Sequence, residues 1–298
     1  MKNNIKFEYL SQTLDEELIK KSKLVKTNDF TIGAVTSRGT NLQKKNQDHS
    51  LIVTNKNLVM MALTDGRDDL ENSDLVAQIL IEKLGMWFKR LPKSYINTPI
   101  VLESMLFGEL RKVNSDIYKY YRPGASSFVL AIRGKKETFI ANVGNCRCYM
   151  VKGGIINLET TDNLVWYNYN DKSVITPDEV KFLIGKDYVS RTIGGYPNSK
   201  GYFEPFISII PNDYDSLLLT THGITDVLDS SELNNYLDDE DLNNSLNNII
   251  DKALYSNPRE LPEYLLDKFK ELNHENMLTK KTTPGDSNAS AIVYKKVR

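Results

Sequence analysis

One stretch, Leu63–Asp69 (LTDGRDD), which ends the apolar run Leu58–Leu63, constrains this chain more than any other. Its apolar run, LVMMAL, has the length and continuity of a buried strand, and the acidic-glycine turn that follows places Asp65 at the strand's exposed end. A carboxylate held there on rigid backbone is well placed to grip a divalent cation. Asp-Gly after a strand is also an ordinary turn signal. What gives it weight is its surroundings: KNQDHS before it, then GASSFVLAI, ANVGNCRCYMV, LLLTTHGITD and SNASAIVY after it.

The rest of the composition narrows the class. The 298 residues suffice for one large domain or two small ones. With 40% hydrophobic and 26% charged residues and a net charge of −1, the chain reads as a soluble globular protein. It carries neither the basic excess of a nucleic-acid binder nor an apolar run long enough to span a membrane, so neither partner is expected. The opening MKNNIKFEYLSQ lacks the apolar core of a secretory signal, which points to a cytoplasmic protein. Cys146 and Cys148 share one face of a strand, where neighbours point the same way and do not readily form a disulfide. They read as reduced packing residues. His49, His222 and His274 are too few and too scattered for a histidine-rich zinc site, and no GxSxG, P-loop or HExxH motif is present.

Along the chain, residues Met1–Asn28 are charged and polar and read as an N-terminal extension, with LDEELIKKSKL suggesting an amphipathic helix. Strands are expected at Phe30–Ser37, Ser50–Asn55 and Leu58–Thr64, the last two joined by a hairpin at Asn55-Lys56-Asn57. Helices follow near Leu70–Leu91 and Thr98–Tyr121; in the second, Val101, Met105, Leu106, Leu110, Val113 and Ile117 recur at helical spacing. After Arg122-Pro123-Gly124 come β-rich segments, then a polar insertion at Asp162–Asp171 that reads as solvated surface. TPDEVKFLI (Thr176–Ile184) reads as a capped helix with Pro177 in its first turn. Strands at Phe206–Ile210 and Ser216–Thr221, helical sequence over Ser230–Asn273 and a last strand at Ala289–Val297 complete an α+β plan. No interior linker splits it, so residues 29–298 read as one domain.

In this order the segments resemble the metal-dependent Ser/Thr protein phosphatases of type 2C, over roughly Phe30–Val297. The resemblance implies two packed, mainly antiparallel β-sheets flanked by helical pairs. It also implies a cleft at one sheet edge, where carboxylates hold two divalent ions, Mn or Mg, that activate water against a phosphoserine or phosphothreonine. The family's Glu-Asp pair reads Gln47-Asp48, and its phosphate-gripping arginine falls on Gln43, with Arg38, Lys44 and Lys45 as stand-ins of poorer geometry. The Asp-Gly-His-Gly-Gly motif reads Asp65-Gly66-Arg67-Asp68-Asp69. Asp65 and the Gly66 carbonyl match, whereas Arg67 replaces a proposed general acid and holds its proton too tightly to serve as one. Gly-Asp-Ser-Arg reads Gly144-Asn145-Cys146-Arg147. Ser-Asp-Gly reads Thr221-His222-Gly223, with Asp226 matching a following non-ligand acid. The final motif, Asp-Asn-x-Thr, reads Ser287-Asn288-Ala289-Ser290, with Asp286 one residue out of register.

Of four core carboxylate ligands, only Asp65 stays in register, and it reads as an unpaired acid that the fold can lose without harm. The chain is therefore expected to be a catalytically impaired type 2C protein that needs no cofactor and acts as a regulatory or protein-binding module, its partner a phosphoprotein or a kinase among the classes the resemblance implies. The alternative is an active phosphatase with a rebuilt site, in which Gln47, His222 and Asp286 join Asp65 and Gly66 around a metal and Asp68 and Asp69 lend further carboxylates. An imidazole in such a set favours Mn, Fe or Zn over Mg. In either case Asp48, Asp65, His222 and Ser287 should meet in one cleft.

Overall fold

The computed structural model describes residues 6–11, 20–41, 44–55, 58–168, 170, 174–195 and 203–297. The apolar run becomes β5 (Leu58–Gly66), and all nine of its residues are buried. Met60 and Ala62 face one core, packed under helices, while Val59, Met61 and Leu63 face the other, between two sheets. Burial on both faces explains why the run does not alternate with polar residues. Its antiparallel partner β4 (Asp48–Asn55) lies beside it, with Asn55 opposite Leu58 as a hairpin requires. The connecting residues 56 and 57 lie outside the described residues.

β1 (Lys6–Leu10), β4, β5, β6 (Ser126–Arg133), β7 (Glu137–Val143) and β10 (Phe206–Pro211) form one six-stranded sheet, in that order. The second runs β2 (Lys20–Lys26), β3 (Phe30–Ser37), β12 (Ala289–Lys296), β11 (Ser216–Thr220), β8 (Arg147–Lys152) and β9 (Ile155–Leu158). Every named strand pair is antiparallel. On the first sheet lie α1 (Ser73–Arg90) and α2 (Pro99–Tyr120). Leu102, Leu106, Leu110, Val113 and Ile117 of α2 are buried, while Val101 and Met105 stand at the edge of that face.

The outer face of the second sheet is covered by α3 (His222–Thr225), α4 (Ser230–Leu237) and α5 (Leu242–Tyr255). Close approach there depends on Gly33 of β3, because a Cβ at that position would lie 2.4 Å from Leu246 Cδ1. A satellite core of Leu164, Trp166, Val180, Phe182 and Leu183 packs on Leu265 and Phe269 of α6 (Glu263–Glu271).

Three expectations from the sequence change. Lys20–Leu24, read as part of a helix, belongs to β2, and residues 12–19 lie outside the described residues. The segment read as an extension therefore supplies an outer strand to each sheet. Thr176–Ile184 is not an α-helix but a turn ending in a 3-10 helix at Val180–Phe182. Its capping signals are real, since Thr176 N–H donates to Glu179 Oε2 at 2.8 Å and Glu179 N–H to Thr176 Oγ1 at 3.3 Å. The helix stops because Ile184 N–H donates to Met277 O and Phe182 O accepts from Thr279 N–H, both at 2.8 Å, which diverts its backbone to another segment. Finally, Asp162 is not on a solvated surface. It forms a buried pair with Arg147, Nη2 to Oδ2 2.7 Å, their side chains 3% and 4% exposed. Arg147 also donates to the Pro177 carbonyl at 3.0 Å, which anchors the inserted segment to β8.

That pair gives a direct test of the anchoring. Arg147→Met leaves a buried carboxylate without its partner and should lower unfolding free energy by about 3–5 kcal/mol in denaturant titration. Adding Asp162→Leu should recover most of the loss. A single variant within about 1 kcal/mol of wild type would contradict the assignment.

Candidate functional site

The hairpin that buries the apolar run also sets the cleft. Its register places Asp48, the first residue of β4, directly opposite Asp65 near the end of β5. The two side chains are 0% and 5% exposed as residues. Burial first, and then the charge of Asp65, pushes the Asp48 carboxyl well above the usual carboxylate range. The Thr221 hydroxyl, which accepts from Ser290 N–H at 2.9 Å, donates to Asp48 Oδ2 at 2.8 Å.

His222 opens α3 at the end of β11 and covers Asp65. Its Nδ1 lies 2.5 Å from Asp65 Oδ2 and its backbone N–H 3.5 Å from the same oxygen. Burial alone would push the imidazole down, but Asp65, followed by Asp226 and Asp187, holds it well above its ordinary value. Asp65 is acceptor-only when ionised, so Nδ1 is the donor in this contact. Its other nitrogen, Nε2, is 3.9 Å from Asp187 Oδ1. Gly223 makes this packing possible, because a Cβ there would sit 2.0 Å from the Asn288 carbonyl oxygen. Asn288 in turn accepts from Gln47 N–H at 2.8 Å and donates to the Arg38 carbonyl at 3.1 Å. One asparagine thus ties the final motif to the first.

The other predicted positions fall into place unevenly. Oriented to satisfy its surroundings, the Gln47 amide nitrogen donates to the carbonyls of Gly66 and Arg67, 3.2 Å each. The Gly66 carbonyl, expected to face a metal, is thereby engaged by an uncharged donor. Arg67 forms a two-point pair with Asp69 of its own turn, at 2.9 and 2.7 Å, and Lys44 reaches Asp68 at 3.5 Å. Asp286 is exposed; Lys44 Nζ donates to its carbonyl at 3.0 Å. Ser287, half-buried, precedes Asn288 at the cleft's edge. Asn145 Oδ1 accepts from Ser127 Oγ at 3.3 Å. Gln43 lies outside the described residues. Cys146 and Cys148 are free and buried, and burial with the nearby charges of Asp65 and Asp48 pushes the Cys146 thiol up, so it is inert packing.

Two residues had no signal in the sequence. Lys186 and Asp187 come from the loop after the 3-10 turn, within IGKDYV, which matches no motif. Lys186 pairs with Asp226, the C-cap of α3. Burial opposes its charge, but Asp226 and Asp187 lift its pKa above the ordinary lysine value.

No family model matches the chain. Over 210 residues it is 24% identical to the serine/threonine phosphatase stp of Listeria welshimeri, covering 68% of this chain and 81% of that one. The Listeria monocytogenes protein of the same name is 22% identical over the same length. Among solved structures, the Mycobacterium tuberculosis serine/threonine phosphatase PstP/Ppp superposes with a TM-score of 0.65 at 17% identity, covering 90% of this chain and 98% of that one. Staphylococcus aureus Stp1 gives 0.62 at 16% identity, covering 99% and 95%. The chain has the fold of these serine/threonine phosphatases. Its two antiparallel sheets and flanking helices are those of that α+β fold.

The type 2C fold implies divalent ions in this cleft, and the donor set does not fit them. Asp65, the one carboxylate in register, is already bonded to the His222 ring; burial holds the Asp48 carboxyl well above the usual carboxylate range; and the Gly66 carbonyl is engaged by Gln47. The structure also corrects the reading of Asp65 as an unpaired acid. Asp65→Asn should lower stability by about 3 kcal/mol near neutral pH, because it strands a buried imidazole. The folded pKa of His222 is raised, so the pair's contribution is fully present below about pH 6.5, the ordinary imidazole value, and is lost as pH rises through the raised one. Melting curves of wild type and Asp65→Asn should therefore converge on the alkaline side. Curves that coincide already at pH 7 would refute the pairing.

Proposed function

We propose that this protein is a catalytically impaired member of the type 2C fold that works by binding another protein in or beside the old cleft. The observation that carries this reading is the contact between His222 Nδ1 and Asp65 Oδ2 at 2.5 Å, which puts a histidine ring on the carboxylate a metal would need. Two further features support it. Arg67 retains its proton at neutral pH and pairs with Asp69, so it supplies no general acid. Gln43 offers no cation where a phosphate-gripping arginine is expected. A protein partner fits the cleft's rim, where Ile184 and Tyr188 flank Lys186 and Asp187 and are 55% and 62% exposed. The relatives are named as serine/threonine phosphatases, and PppA of Pseudomonas aeruginosa, a neighbour at TM-score 0.61 and 16% identity, is described as a regulatory component. A phosphoprotein or its kinase is accordingly the partner class proposed, in the cytoplasm. Among the described residues no helix is long and apolar enough to cross a membrane.

One observation favours the alternative of a rebuilt metalloenzyme. Ligand atoms of Asp187, His222 and Asp226 all lie within 4.8 Å of one another. Calorimetry with Mn and Mg, run beside turnover of an aryl phosphate, separates the two readings. The binding reading expects no pair of tight sites and no metal-dependent hydrolysis; tight Mn binding with turnover that Asp65→Ala abolishes would overturn it. Reversal probes the same question. Gln47→Glu, His222→Asp and Ser287→Asp together should restore metal binding first. Adding Gln43→Arg and Arg67→His, with Asp68 and Asp69 both replaced by Gly, should then raise hydrolysis by about 10²–10⁴-fold, the usual worth of general acid catalysis.

A further inference from the structure

β10 closes one side of its sheet, and its outer edge differs from the other sheet edges. Among the described residues it pairs with β7 alone, Phe206 opposite Asn142 and Pro211 opposite Glu137. One step beyond the strand, Asn212 N–H donates to Lys136 O at 2.9 Å, so the even-numbered residues turn their backbone groups toward β7. The N–H and C=O groups of Ile207 and Ile209 therefore point outward, and Pro211, which has no N–H to offer, shares that direction. An open edge is a template for another strand unless something blunts it. β2 carries Lys20, Lys21, Lys23 and Lys26, β1 carries Lys6 and Glu8, and β9 is only four residues long. β10 has no charged residue, and its Phe206 and Ile209 are 38% and 43% exposed.

This edge is also complementary to itself. Pro205-Phe206-Ile207-Ser208-Ile209-Ile210-Pro211 reads almost the same in either direction about Ser208. Two copies laid antiparallel about a two-fold axis at Ser208 bring Ile207 opposite Ile209, and each such pair exchanges both backbone bonds. Pro205 meets Pro211, so no isoleucine carbonyl is left facing a missing N–H. Phe206 meets Ile210, apolar on apolar, and no like charges oppose each other. Moving the axis to Ile207 or Ile209 sets a proline against an isoleucine and loses bonds.

We infer that this edge joins two copies of the chain, merging their six-stranded sheets into one continuous sheet across the Ser208 axis. A single strand pair is small beside the roughly 800 Å² per partner of a standard interface, so the dimer should be reversible. None of the cleft residues lies on β10, so the dimer stands or falls apart from the reading of the cleft.

The test is sedimentation of the full chain under reducing conditions from roughly 10 to 300 µM, a range suited to a small interface. Wild type should shift reversibly from monomer to dimer mass. Ile209→Lys puts a charge on each edge and should raise the dissociation constant about tenfold or more. Its melting point should stay that of wild type, because Ile209 is half exposed. Ser208→Cys reads the register. Across the axis Ser208 faces its own copy at a non-hydrogen-bonded position, where Cα atoms lie about 4.5 Å apart, within disulfide reach. Mild oxidation should therefore cross-link Ser208→Cys but not Ile209→Cys, whose two copies sit diagonally. Cys146 and Cys148 are buried, so oxidised wild type is the control. A chain that stays monomeric throughout the range, a dimer that Ile209→Lys leaves intact, or cross-linking at 209 that matches 208 overturns the inference. A monomeric wild type that binds a peptide spanning residues 204–212 would also overturn it, by giving the edge to a foreign strand.

Discussion

Pairing Asp48 with Asp65 at the end of the β4–β5 hairpin buries two acids side by side, and the surrounding structure is arranged to hold their charge. Two carboxylates about 4 Å apart repel by roughly 4 kcal/mol at an effective dielectric near 20. The hairpin cannot avoid this, because its register is fixed by the apolar residues that fill both adjoining cores. The protein answers asymmetrically. The Asp48 carboxyl is raised and receives a hydroxyl donor, and Asp65 receives the His222 ring. The backbone around them follows from those two contacts. Gly223 lets α3 reach the Asn288 segment, and Asn288 fastens that segment to Gln47 and Arg38.

In the phosphatases that the chain resembles, metal ions answer the same electrostatic problem, and those ions also do the chemistry. On the reading proposed above, supplying the charge from side chains preserves the fold without the activated water. This explains why substitutions that look like separate losses in the sequence belong together. Glu to Gln at position 47 converts an acceptor into a donor for the Gly66 carbonyl, and Asp to His at position 222 converts a ligand into a hydrogen-bond donor for Asp65. Each change removes a negative charge or adds a positive one where a cation would have been.

What could be read in advance follows from where the physics is local. The doubly buried strand, its hairpin partner and the amphipathic face of α2 were legible because burial pattern and period appear directly in the residues. The meeting of Asp48, Asp65 and His222 was legible through the order of short motifs around them. The helix expected at Thr176–Ile184 carried correct capping residues, yet backbone bonds to residues 277 and 279 overrode them. Lys20–Leu24 looked helical for want of any sign that β3 would claim it as a strand. Asp162 looked solvated because its partner, Arg147, acts from another strand. The pairing of Asp65 was missed for a related reason: His222 was weighed as a ligand, and the charge it could bring was not.

The central claim is that the imidazolium of His222 stands where a metal would be, and nitrogen NMR of the histidine rings tests it most directly. Only three histidines are present, so a His222→Asn variant assigns the signal. The account predicts a doubly protonated His222 ring at neutral pH whose shifts do not move when millimolar Mg replaces EDTA. A neutral ring whose nitrogen shifts follow added Mg would contradict it.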